Sequence, residues 1–176
     1  MPFLFHQPID RRRFLGASAA GLALAAAAGC RSGIDAGRPA PGATLHLALL
    51  SDTHVPGDRK NGHRGFNPWE NLGRIAPEIA AARPAGAILN GDAARLEGLP
   101  ADYAELLKLL EPMAHRMPVY IGMGNHDDRA QFRKAVPGAP GLRQSVKEKH
   151  VVVIDHALVR IVVLDSLQFV NKTPGL

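Results

Sequence analysis

Three short polar clusters hold the residues of this chain that could do chemistry: Asp52-Thr53-His54, Gly91-Asp92 and Gly124-Asn125-His126-Asp127, the last running on into Asp128-Arg129. Asp-x-His at a strand end places two donor side chains on one side, because alternate residues of an extended chain point the same way. Asp92 adds a carboxylate able to bridge two cations. Asn125 offers a neutral carbonyl oxygen that Mn²⁺, Fe or Zn²⁺ accepts. A pair of such ions would polarise a phosphoryl oxygen and lower the pKa of a bridging water, which yields the nucleophile for in-line displacement. His126 could then protonate the leaving alkoxide, with Asp127 orienting the imidazole or holding its charge. Each cluster alone has a plainer reading: a loop cap at Asp52, a surface histidine at His54, a common turn at Gly91-Asp92, an exposed turn at 125–127. Their recurrence after three successive apolar runs favours a site. His63, His115, His150 and His156 lack such context and are expected at the surface or at edges.

The elements that must position these clusters follow from the hydrophobic pattern. Apolar runs at 45–50, 85–89 and 117–121 read as buried strands, the first two ending just before a polar cluster and the third at Ile121, ahead of the Gly-Asn-His-Asp segment. Between them, 67–83 reads as a helix with Asn67 as its cap, Pro68 in the first turn, and Leu72, Ile75 and Ile79 on one apolar face. A second helix is expected over 100–116, burying Tyr103, Leu106, Leu107, Leu110 and Met113. The stretch 52–66 is rich in Gly, Asp and charge and reads as loop. A short helix is expected at 128–135, and runs at 151–154 and 158–164 suggest a hairpin. Strand–helix alternation implies an α/β domain with a mostly parallel first sheet. Parallel strands align their C-terminal ends on one edge, where ligands of open α/β sheets gather. That topology brings Asp52, His54, Asp92, Asn125 and His126 together.

The chain has 176 residues, 46% of them hydrophobic, enough for one domain with a core. Its formal charge of +5 owes three arginines and one aspartate to residues 1–30; the rest carries 18 basic against 15 acidic residues. No basic run interleaves with aromatics, so composition argues against nucleic acid as a partner. Residues 1–30 read as an export signal. A basic block, 11–13, precedes a small-residue apolar run, and the Arg11-Arg12 pair followed by Phe14-Leu15 resembles the twin-arginine signal of bacteria. This implies the twin-arginine export machinery as a partner and the periplasm or cell envelope as destination. Cys30 is the sole cysteine and follows Ala27-Ala28-Gly29, which resembles a lipobox and implies a lipid-anchored first mature residue; a simple cleavage site is the alternative. Residues 31–43, with Gly and Pro at five positions, read as a flexible linker, leaving 44–176 as the folded domain.

Asp52-x-His54, Gly91-Asp92 and Gly124-Asn125-His126-Asp127, in that order and context, look like the first three motifs of the calcineurin-like metallophosphoesterases. The resemblance covers roughly 45 to the C-terminus. It implies part of a four-layer α-β-β-α sandwich and a binuclear centre of divalent or trivalent Mn, Fe or Zn. Asp52 and His54 would bind the first metal, Asp92 would bridge, Asn125 would bind the second, and His126 would meet the phosphoryl group, with Asp127 behind it. The run 125–129 followed by Phe132, and 161–166 ending near Pro174-Gly175, look most like the cyclic-nucleotide and glycerophosphodiester phosphodiesterase branch. A small phosphoester is the implied substrate. The family's later histidine ligands, including a Gly-His-x-His, have no counterpart here. The expectation is a fragment whose C-terminal half is missing, with weak or single metal binding and little turnover. A membrane-tethered binding module that keeps the fold without the chemistry is the competing reading.

Overall fold

The computed structural model describes residues 40–136, 141–143, 148–170 and 173–175. Arg11, Arg12 and Cys30 lie outside the described residues. Three parallel strands, β1 (Leu47–Leu50), β2 (Gly86–Asn90) and β3 (Val119–Gly122), form a sheet in that order. Leu50 pairs with Leu89, and Leu89 in turn with Ile121, so all three strands end level. The crossovers are helices α1 (Pro68–Ala82) and α2 (Pro100–Ala114). Asn67 caps α1 by accepting the Glu70 N–H at 3.2 Å, and a proline opens each helix, where a missing N–H costs nothing.

One face of this sheet meets the helices. Leu72, Ala76 and Ala80 of α1 and Tyr103, Leu106, Leu109, Leu110 and Met113 of α2 pack on Ala87, Leu89 and Ile121. The expected apolar faces hold with two exceptions. Leu107 is only half-buried, and Leu109 takes the inner position. Ile75 is 42% exposed, because α1 rolls so that Ala76 and Ala80 face the sheet and Ile75 stands beside the loop that follows β1.

The other face of the sheet meets a second, antiparallel one. Its strands are β4 (Leu142–Arg143), β5 (Val151–Asp155) and β6 (Arg160–Val163). Val152, Ile154 and Val163 pack against Ile88 with Leu47, Tyr120 and Ile161 around them. The layers are thus helix, sheet, sheet, which matches the expected α/β architecture as far as the described residues go. A short helix α3 (Arg129–Ala135) and a final ribbon, β7 (Gln168–Val170) with β8 (Thr173–Gly175), complete the described elements.

His150 corrects an expectation: it is 1% exposed, not at the surface. Its Nε2 lies 2.8 Å from the Ile121 carbonyl and its ring meets Phe132 edge-on. Those partners are 29 and 18 positions away in the chain, and local sequence context could not reveal them. Burial pushes the His150 pKa down, against the pull of the Ile121 carbonyl.

Candidate metal centre

The loops after β1, β2 and β3 are laced together by backbone hydrogen bonds before any side chain is considered. The Asp52 N–H donates to the Gly91 carbonyl, the His54 N–H to Asp92 and the Val55 N–H to Ala93, at 3.2, 2.9 and 3.0 Å. This run of bonds prolongs the β1–β2 pairing past the strand ends, with a bridge between Val55 and Ala94. Six non-glycine residues have positive φ among the described residues, and Asp52 (53°), His54 (44°) and Asp92 (48°) are three of them. Left-handed backbone costs a non-glycine residue about 1–3 kcal/mol and gathers where geometry serves function. Here it turns the three expected ligand residues at the ends of two neighbouring strands.

His54, Asp92 and His126 each bring a donor atom to one place, all within 4.8 Å of one another. Nε2 of His54 lies 3.9 Å from Asp92 Oδ2 and 3.9 Å from Asp52 Oδ1. The two imidazoles stand edge to face with centroids 5.0 Å apart. Asp52 sits at the exposed rim, bonded to the Ser51 hydroxyl. Asn125 is half-buried in the turn beside His126, and its side chain makes no hydrogen bond among the described residues. The donor set of imidazole and carboxylate fits Mn, Fe or Zn.

The imidazoles are aimed by the chain itself. His54 Nδ1 lies 3.2 Å from the Arg95 carbonyl, and His126 Nδ1 lies 3.0 Å from the Leu96 carbonyl. A carbonyl only accepts, so Nδ1 of each ring carries the proton and Nε2 keeps its lone pair. The segment directly after Asp92 therefore orients both histidines. Backbone acceptors carry no residue signature, and no sequence signal pointed to Arg95 or Leu96.

The partner of His126 Nδ1 is the Leu96 carbonyl and not Asp127, whose carboxylate is engaged by other groups. Asp127 is 4% exposed, and its carboxylate accepts from Ala93 N, Ala94 N, Gly124 N and the Tyr103 hydroxyl, at 3.0 to 3.2 Å. It pins the third loop to the second. Asp92 makes the reverse tie: its Oδ1 accepts the His126 N–H at 3.1 Å. Gly124 is required at this crossing, since a Cβ there would sit 2.0 Å from Asp92 Oδ1. Tyr103 bonds both Asp127 and the Asp128 N–H; burial first, then the Asp127 charge, pushes its pKa well up.

Behind the third loop, Arg129 holds Asp165, whose side chain is fully buried, with Nε and Nη2 at 2.5 and 2.7 Å. Asp165 also accepts the His150 and Leu167 N–H groups. Burial alone would raise the Asp165 pKa, but Arg129 and the His150 N–H outweigh it and hold it below the ordinary value. The first loop has its own anchor at Glu105. It accepts from Arg59 Nε at 2.8 Å, Lys108 Nζ at 2.6 Å and the Trp69 indole at 3.0 Å. The Arg59 and Lys108 bonds lower its pKa to about 2.

Residues 45–166 match the calcineurin-like phosphoesterase family. The chain belongs to the calcineurin-like phosphoesterases. The match spans β1 to the loop after β6 and includes the loops after β1, β2 and β3. Among curated proteins, this phosphoesterase chain is 34% identical over 125 residues to a cAMP/cGMP dual specificity phosphodiesterase of Mycobacterium tuberculosis, covering 68% of this chain and 37% of that protein. It is 33% identical over 124 residues to a probable cyclic nucleotide phosphodiesterase of Rhodococcus erythropolis, covering 68% and 39%. Over 130 residues it is 27% identical to a 3',5'-cyclic adenosine monophosphate phosphodiesterase of Pseudomonas aeruginosa, covering 73% and 44%. The chain thus spans less than half the length of these relatives.

Proposed function

We propose that the protein hydrolyses phosphoesters in a metal-dependent reaction, with phosphodiesters, cyclic nucleotides among them, as the substrate class. The observation that carries this is the convergence of His54, Asp92 and His126 within 4.8 Å at the level ends of three parallel strands. The names of the relatives support the phosphodiester class.

Two ions of Mn, Fe or Zn would supply Lewis acidity and an acidified water there. Asp52 and His54 would hold one and Asn125 the other, with Asp92 between. Asp92 suits a central place, because one oxygen is tied to the third loop while the other faces His54. His126, its Nδ1 held by the Leu96 carbonyl, meets the phosphoryl group through Nε2 and in its protonated form gives that proton to the leaving oxygen. Asp127 keeps the His126 loop in register and does so without touching substrate. Export through the twin-arginine machinery to the periplasm or envelope, with Cys30 as a lipid anchor, is part of the same proposal and rests on residues 10–30.

The test is hydrolysis of bis(p-nitrophenyl) phosphate, read as metal dependence rather than absolute rate. Mn²⁺-stimulated turnover that a chelator abolishes, and that Asp92→Asn and His126→Ala each reduce roughly a hundredfold or more, supports the proposal. Turnover indifferent to chelator and to both substitutions removes it.

A further inference from the structure

The first turn of α2 bonds to the loops after all three parallel strands. Asp102 is 4% exposed and uses both carboxylate oxygens: Oδ1 accepts the Gly57 N–H at 2.7 Å, and Oδ2 accepts the Leu99 N–H at 3.3 Å. The Leu99 bond alone is an ordinary helix-start contact, since Leu99 is the N-cap and Asp102 stands three positions on. The Gly57 bond is not local, because it joins residues 45 positions apart. Tyr103, next along the helix, is fully buried. Its hydroxyl accepts the Asp128 N–H at 2.9 Å and donates to Asp127 at 3.2 Å.

Each of these bonds falls a few residues past a group that builds the centre. Gly57 lies three residues past His54, and Asp128 two past His126. Leu99 lies three past Leu96 and four past Arg95, whose carbonyls hold the Nδ1 atoms of His126 and His54. Two glycines let the chains come this close. A Cβ on Gly57 would stand 2.6 Å from the Ala101 Cβ, and one on Gly98 would stand 2.7 Å from the Tyr103 hydroxyl. A helix start needs only an exposed polar side chain to cap it. Here a carboxylate is buried instead and shared with a distant loop, an arrangement that costs desolvation and fixes geometry in return.

We propose that Asp102 and Tyr103 are positioning residues of the metal centre, which from one turn of one helix set how the His54 and His126 imidazoles stand to each other. Neither brings a donor atom to the cluster of His54, Asp92 and His126. Asp102 clamps the chain leaving His54 to segment 95–99, whose carbonyls aim both rings. Tyr103 holds the turn that carries His126 against the same helix. The inference rests on reading that cluster as a metal centre.

The experiment titrates the chain with Co²⁺, whose visible absorption band reports the geometry of its ligands, in the wild type, Asp102→Asn, Tyr103→Phe and Ile154→Val. The Asn amide accepts at one oxygen only and turns N–H groups toward the other bond. Phe keeps the ring and removes the hydroxyl alone. Ile154→Val is the control: it trims a side chain 5% exposed in the cluster around Ile88 and lowers stability there. Both α2 variants should bind Co²⁺ about tenfold or more weakly than the wild type and with a shifted band, while the far-ultraviolet circular dichroism is kept. Ile154→Val should keep the wild-type affinity and band. A folded α2 variant with wild-type affinity and band strikes its residue from the role. Both doing so, or the same losses in Ile154→Val, or failure of both α2 variants to fold, overturns the positioning assignment alone. A wild type that binds no Co²⁺ overturns the metal-centre reading and this inference with it.

Discussion

Asp127 sits in the most ligand-rich segment of the chain, yet its four hydrogen bonds go to Ala93, Ala94, Gly124 and Tyr103. Removing the carboxylate leaves three N–H groups and a hydroxyl without their acceptor in a buried place. Asp127→Ala should therefore cost about 3 kcal/mol or more of unfolding free energy in urea. Asn125 and His126 should lose their register in the same variant, so Mn²⁺ affinity falls along with stability. A variant as stable as the wild type would deny Asp127 this role. His150 makes a prediction about pH. Its folded-state pKa lies below the ordinary 6.5, so the unfolded chain takes up a proton first as pH falls. The neutral ring's contribution is complete above pH 6.5 and is lost as pH drops from there toward the folded value. His150→Gln, which keeps an N–H for the Ile121 carbonyl, should flatten the slope of stability between pH 7 and 5. These roles were illegible in the sequence because both side chains act through partners remote in the chain, several of them backbone atoms.

At the scale of elements the sequence was far more readable. Expected helix 67–83 became Pro68–Ala82 with Asn67 as cap, and 100–116 became Pro100–Ala114. The loops that carry Asp52, Asp92 and His126 fell where the apolar runs ended. Periodicity and capping are local, so they survive in one dimension. The ribbon at 168–175 and the two-residue β4 were missed, since strands so short carry no pattern of their own. Missed too was what joins the third loop to the second sheet: the ion pair of Arg129, at the start of α3, with buried Asp165 after β6. Breaking it by Arg129→Met strands a buried carboxylate and should cost about 3–5 kcal/mol. Denaturant unfolding monitored by circular dichroism reads this directly. A loss below about 1 kcal/mol would mean that water or Lys149, 3.9 Å away, already carries the charge.

Across the whole molecule, the described layers leave an apolar edge. Leu49 of β1, Val162 of β6 and Leu164 stand exposed around a cleft that Ile88 and Val163 also line. Exposed apolar strand edges are surfaces on which further strands can pair. The loops after β1, β2 and β3 are nevertheless assembled within these residues, each tied to the next by Asp92, Asp127 or backbone bonds. This assembly should hold a metal ion, and isothermal titration of the chain with Mn²⁺ tests that most directly. Binding should be saturable and should weaken roughly tenfold or more in Asp92→Asn and in His54→Ala. Affinity equal to the wild type in both variants would contradict it.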